Sequence, residues 1–208
     1  MPALRGSLTY ARFFVEGDLP DELHTRFLKA IRLRVMKPLV PDEDAPERSG
    51  WCRIAEPMEI ELGHEEVFYN DYLNLGFRTD RWVIPGPLLR TKLRDAEQAY
   101  LVKKGRERLT RKEKAELKVV VSKRLRRDID PRTSAVDVSW SLDEGIVRFF
   151  SPSAKVGALF GEHFAKTFAP LRLVPEAPYT LAARLGMSKA QRAAWDVMEA
   201  MSLAVGGA

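Results

Sequence analysis

The 208-residue sequence is poor in the residues that mark a reactive centre. It has one cysteine, Cys52, which excludes an internal disulfide framework and suits a reducing compartment. Beside Trp51, that thiol reads as a small packed hydrophobe rather than a nucleophile. The three histidines, His24, His64 and His163, are far apart, and none lies in a His-Glu-x-x-His or Cys-x-x-Cys frame. Neither a Gly-x-Ser-x-Gly elbow nor a phosphate-cradling glycine loop occurs. No apolar run approaches the ~20 residues of a membrane helix, and Met1 to Tyr10 lacks the apolar core of a signal peptide. Internal repeats and low-complexity segments are missing too. The expectation is a cytoplasmic chain with no catalytic residue, metal ligand or cofactor.

What the chain does have is localised charge. Its net charge is +5, with a pI near 9.4, which only weakly favours an anionic partner. Between Lys103 and Arg127, however, stand twelve basic residues: Lys103, Lys104, Arg106, Arg108, Arg111, Lys112, Lys114, Lys118, Lys123, Arg124, Arg126 and Arg127. Three acidic residues accompany them (Glu107, Glu113 and Glu116), so this stretch carries +9 and the remainder −4. The segment from Arg90 to Arg127 reads as a helical hairpin, with helices over Pro87–Lys104 and Thr110–Arg127. Leu89, Leu93, Ala96 and Tyr100 make one apolar stripe; Leu117, Val120, Val121 and Leu125 make the other. Gly105 stops the first helix, and Thr110 with Glu113 forms a capping box that starts the second.

The second helix turns Arg111, Lys112, Lys118, Lys123 and Arg126 away from its apolar stripe, with small Ala115 and Ser122 between them. Solvated helix faces usually alternate in sign, with Glu four residues before Lys. This one mostly does not, and all twelve cations are candidate DNA-binding residues.

Around the hairpin, the patterns predict an α+β protein: an antiparallel β-sheet covered by helices, with the basic helical hairpin projecting from it. Leu4–Val15 reads as a strand, and Pro20–Met36 as a helix carrying Leu23, Phe27, Ile31 and Val35. Pro41–Gly50 reads as a loop, in which Asp42, Glu43 and Asp44 make a solvated acidic turn rather than a metal site. Strands are expected over Val67–Asn70 and Tyr72–Val83, and the Pro85-Gly86-Pro87 break launches the hairpin. A β-hairpin joins Ser134–Leu142 to Ile146–Phe150; a helix over Ser153–Phe168 buries Val156, Phe160, Phe164 and Phe168; and Leu171–Val174 adds a short strand. Trp51, Trp82 and Trp140 are expected in the core. Residues 1–86 and 128–178 form the sheet domain, 87–127 the inserted hairpin and 179–208 a helical tail.

The order of signals from Trp82 to Pro178 resembles the recombination-associated RdgC family. The resemblance rests on Gly50-Trp51, on Trp82-Val-Ile-Pro-Gly-Pro-Leu-Leu opening a long helix, and on the charged pair from Lys92 to Arg127. It continues through Val136-Asp-Val-Ser-Trp140, Ser151-Pro-Ser-Ala-Lys155 and Leu171-Arg-Leu-Val-Pro175. It covers the N-terminal and central part of the family pattern, and a family C-terminal segment has no counterpart here. The resemblance implies a bacterial, nucleoid-associated protein that binds DNA without strong sequence preference and acts in recombination control or chromosome maintenance. Double-stranded DNA is the expected partner, with single-stranded DNA as a second. It also implies a homodimer, to which an apolar C-terminal helix carrying Trp195, Val197, Met198 and Met201 would contribute.

Two alternatives stand beside it. The first has the hairpin dock an acidic protein partner, or the Glu56–Glu66 stretch of a second copy. A metal-dependent nuclease would need clustered carboxylates; Glu116-Leu-Lys118 has the acid-x-base spacing of one nuclease motif, but it sits on a helix without an evident Asp partner.

Overall fold

The computed structural model describes residues 9–197. Among them, seven strands form one antiparallel sheet: β1 (Ala11–Glu16), β2 (Glu47–Cys52), β3 (Phe68–Tyr69), β4 (Tyr72–Arg81), β5 (Arg132–Ser141), β6 (Ile146–Phe149) and β7 (Arg172–Pro175). Their order is β2-β4-β5-β6-β1-β7, with β3 paired to β4. Seven helices accompany them: α1 (Leu23–Leu33), α2 (His64–Val67), α3 (Gly86–Lys104), α4 (Arg111–Arg126), α5 (Ala154–Thr167), α6 (Pro178–Arg184) and α7 (Lys189–Asp196). The fold class is therefore α+β with an antiparallel sheet. Among the described residues, no helix is long and apolar enough to cross a membrane.

Alternation along the strands builds the core. Leu73, Leu75 and Phe77 on β4 lie opposite Trp140, Val138 and Val136 on β5. Trp51 on β2 and Val147 and Phe149 on β6 extend the same face. α1 supplies Phe27 and Ile31, and α5 supplies Phe160 and Phe164, each pair spaced four residues apart on one side of its helix. The rings interlock: Phe149 stacks on Phe160 at 4.3 Å, and Phe27 on Trp140 at 5.4 Å. Each such side chain contributes about 1.5–3 kcal/mol on full burial. The Trp51 indole N–H donates to Thr167 Oγ1 at 3.0 Å, and that hydroxyl donates to the His163 carbonyl at 2.7 Å.

Several boundaries differ from the sequence reading. Helix α1 is shorter than Pro20–Met36: Glu22 caps it without a side-chain bond, and Val35 leaves the helix to pair with Trp51. The predicted loop Pro41–Gly50 gives up residues 47–50 to β2. Gly50 lies there because the chain at Met36 passes so close that a Cβ would meet its backbone at 2.5 Å. The first strand begins at Ala11, and residues 1–8 lie outside the described part. Trp51 and Trp140 are buried, but Trp82 is only half-buried, under the root of the hairpin.

His163 packs its ring against Trp51 (4.9 Å between centroids) and hydrogen-bonds the Arg34 backbone. Burial pushes its pKa down to about 4. Between the ordinary value of 6.5 and about 4, the unfolded chain takes up a proton that the folded chain refuses, so stability falls as pH falls through that window. Denaturant titrations of His163→Gln should lose this dependence. An equally steep acid loss in that variant would assign it to other groups.

Candidate nucleic-acid interface

The chain leaves the sheet at Arg81 and returns at Arg132, its cross-strand partner in the β4–β5 ladder. Helices α3 and α4 fill the interval. At 19 and 16 residues they are ~28 and ~24 Å long. Pro87 occupies the first turn of α3, and Gly105 ends it in a left-handed conformation at φ 61°, which a residue with a Cβ adopts only at a cost.

The two helices pack on each other along a narrow seam. Leu89, Leu93, Ala96 and Tyr100 are half-buried, as is Leu117; Val121 and Leu125 are buried. Val120 was expected in the stripe and is instead 63% exposed, because the seam follows every fourth residue of α4 and Val120 lies about 100° away from Val121. No residue of α3 is fully buried.

Glu113 locks the tip. Its carboxylate accepts from the Thr110 amide and hydroxyl, each at 2.8 Å, from Tyr100 Oη at 3.2 Å and from Arg106 Nη1 at 3.3 Å. Thr110 Oγ1 in turn accepts from the Glu113 amide, completing the capping box that the sequence announced. The Thr110 donors hold the Glu113 carboxyl below the usual carboxylate range. Partial burial, and then the Glu113 bond, push the Tyr100 hydroxyl up.

The acidic turn grips the root. Lys123 Nζ lies 2.7 Å from Asp44, Arg127 Nη2 reaches both Asp42 oxygens at 2.9 and 3.0 Å, and Arg126 Nη1 donates to the Glu43 carbonyl at 2.8 Å. The Arg126 guanidinium also sits 6.0 Å from the centre of the Trp82 ring. The Lys123 ammonium holds the Asp44 carboxyl below its ordinary value. The turn is solvated as expected, with the Asp42 and Asp44 side chains 60% and 88% exposed, and it also ties down the hairpin. This corrects the expectation that Lys123 and Arg126 lie free on the outer face.

The other candidates keep their charge unspent. Lys103, Arg108, Arg111, Lys112, Lys114, Lys118 and Arg124 are exposed, and among the described residues none of them makes an ion pair. Lys104 lies 6.0 Å from the Tyr100 ring, and Arg106 is partly committed to Glu113. Arg111, Lys114 and Lys118 fall at i, i+3 and i+7, within an arc of about 60° on α4, so they form one row of cations along the helix.

Elsewhere, the structure brings together His24 and His64, whose rings lie 5.3 Å apart and both meet Phe68. Only tertiary contact between α1 and α2 makes that pair, and no local spacing announces it. Among the described residues, no three His, Cys, Asp or Glu side chains converge as a metal site. Burial pushes the Cys52 thiol up to about 12, which keeps it protonated and inert at neutral pH.

Replacing Glu113 with Ala should open the tip while leaving the sheet intact. Hydrogen exchange in residues 106–113 is expected to accelerate at least tenfold with unchanged protection in β4 and β5. A wild-type rate at the tip would show that the capping box carries no constraint. Acid should mimic the change, since the stabilisation is full above the ordinary carboxylate pKa and is lost as pH falls through the lower folded value.

No protein-family model matches this chain, and no curated protein matches it.

Proposed function

We propose that this protein binds DNA without sequence preference through the basic hairpin, and that it acts as a homodimer in recombination control or chromosome maintenance on the bacterial nucleoid. The observation that carries the reading is the row Arg111, Lys114 and Lys118, exposed and without ion pairs on a helix whose root is tied down separately. A rigid row of this kind meets phosphates, which repeat along the duplex irrespective of base sequence. Nothing in it resembles a groove-reading set of Arg, Asn and Gln. The resemblance to the RdgC family supports the biological setting, with duplex DNA as the main partner and single strands as a second. For the dimer, Trp195 is half-buried and Val197 is 78% exposed at the end of α7, whereas Met198 and Met201 lie outside the described residues.

Each phosphate contact releases condensed counterions and adds roughly 0.9 to the slope of log K against log salt. The double change Lys114→Gln and Lys118→Gln should weaken binding to every duplex alike and flatten that slope by about two units. Gln retains helical propensity, so α4 survives. Lys123→Gln, which removes a cation already committed to Asp44, should change the slope much less. Equal slopes for the double variant and the wild type would mean that the row is a solvated face.

A further inference from the structure

The core-bearing face of the sheet turns hydrophilic toward the end from which the hairpin departs. Beyond the row Trp51, Phe77 and Val136 comes a row of hydroxyls, Ser49, Thr79 and Ser134, and beyond that the row Glu47, Arg81 and Arg132. The start of α5 stands against this end with Lys155, Val156 and Leu159, which with Glu47, Thr79, Arg81, Arg132 and Ser134 line a cleft of about 290 Å³. Three cations and one carboxylate share it.

This charge is poorly placed for folding alone. Arg81 and Arg132 are direct cross-strand partners, and like charges directly opposite one another destabilise a sheet. Lys155 lies in the first turn of α5, where the peptide dipoles disfavour a cation and no acidic residue offsets it. Among the described residues, neither Arg81, Arg132, Lys155 nor Glu47 makes an ion pair, although all four are exposed or half-exposed side chains in one small cleft. An anion bound between them would convert these repulsions into attraction. Of the adjacent hydroxyls, Ser134 donates to the Thr79 carbonyl at 3.4 Å and Ser49 and Thr79 bond each other at 2.8 Å, which leaves one hydroxyl proton of that pair for an incoming phosphate oxygen.

The cleft's place in the chain selects its ligand. Arg81 is the last residue of the strand that leads to the hairpin and Arg132 the first of the strand that follows it, so the cleft adjoins the hairpin's root. We propose that Arg81, Arg132 and Lys155 form a second phosphate-contact site, for the same nucleic-acid backbone that the hairpin holds. The proposal rests on the DNA-binding reading and extends the contact surface from the hairpin to the end of the sheet.

The test uses the full chain and a 30-base-pair duplex of random sequence, with salt titrations on three proteins: wild type, Arg132→Gln/Lys155→Gln, and Lys114→Gln/Lys118→Gln. The cleft variant is expected to flatten the salt slope by about two units. Its melting temperature without DNA should stay level or rise, because one of two facing cations and a cation at a helix start have been removed. An unchanged slope in a folded cleft variant, with a flattened slope in the hairpin variant, overturns the second site and leaves the hairpin reading standing. Unchanged slopes in both variants overturn both. Should Arg132→Gln impair folding, Lys155→Gln alone, on an exposed first turn, is expected to lose about one unit, and no loss there counts equally against the site. Stabilisation of the wild type by inorganic phosphate, abolished in the cleft variant while the DNA salt slope stays intact, would assign the cleft to a small anion and overturn the proposal as well.

Discussion

The pairing of β4 with β5 is the constraint on which the rest depends. Ten consecutive residue pairs join these strands, from Tyr72 opposite Ser141 to Arg81 opposite Arg132. Side chains alternate faces along a strand, so a slip of one residue would turn Leu73, Leu75 and Phe77 away from α1 and α5. The opposite face reinforces the register with polar contacts. Arg78 donates two bonds to Asp80, at 2.8 and 2.6 Å, and the Thr133 hydroxyl donates a third at 2.8 Å. Asp80 is 1% exposed, and a carboxylate that deep is tolerable only with such partners. A shifted register would separate Thr133 from Asp80, so core packing and polar satisfaction specify the same alignment.

That alignment also decides where the charge goes. An insertion that begins and ends on directly opposed residues returns to the sheet without disturbing the ladder. The helices can therefore carry +9 without bringing cations into the core, and the counter-charge sits where it supports the root. Asp42 and Asp44, with the Glu43 carbonyl, hold Arg127, Lys123 and Arg126, while Arg48 pairs with the Glu43 side chain and ties the turn to β2. Single exposed ion pairs contribute little, but several on one short turn restrict how the hairpin can pivot. Lys114 and Lys118 lie beyond its reach, so cations that brace the fold are separated from cations that face solvent.

Much of this was legible in the sequence. The hairpin could be read because its signals are local: Gly105 and the Thr110–Glu113 box lie within a few residues of what they control. The strands at 72–83 and 134–142 could be read because their alternation is regular over most of their length. β2 could not, since Glu-Arg-Ser-Gly-Trp-Cys carries apolar weight only at its end, and its register comes from Phe77 and from the chain at Met36. The fates of Lys123, Arg126 and Arg127 were equally hidden. Their partners lie some eighty residues earlier, and helical spacing shows which way a cation points but not what meets it. The cleft at Arg81 and Arg132 stayed hidden for the same reason, because its members come from three strands and a helix.

The contrast between root and cleft carries the argument furthest. Both are charged, both lie at the end of the sheet from which the hairpin departs, and folding had the same means available to neutralise each. At the root, carboxylates meet the cations at 2.7 and 2.9 Å. In the cleft, Arg81 and Arg132 face each other with Glu47 as the one lining carboxylate, and among the described residues no ion pair forms. A fold selected for stability alone would lose nothing by placing glutamine at Arg132 or glutamate at Lys155, since neither side chain is held by the core. Retaining uncompensated charge there makes physical sense when its counter-charge arrives from outside. The unpaired row along α4 follows the same logic, and the proposed nucleic-acid backbone would supply the missing counter-charge at both surfaces.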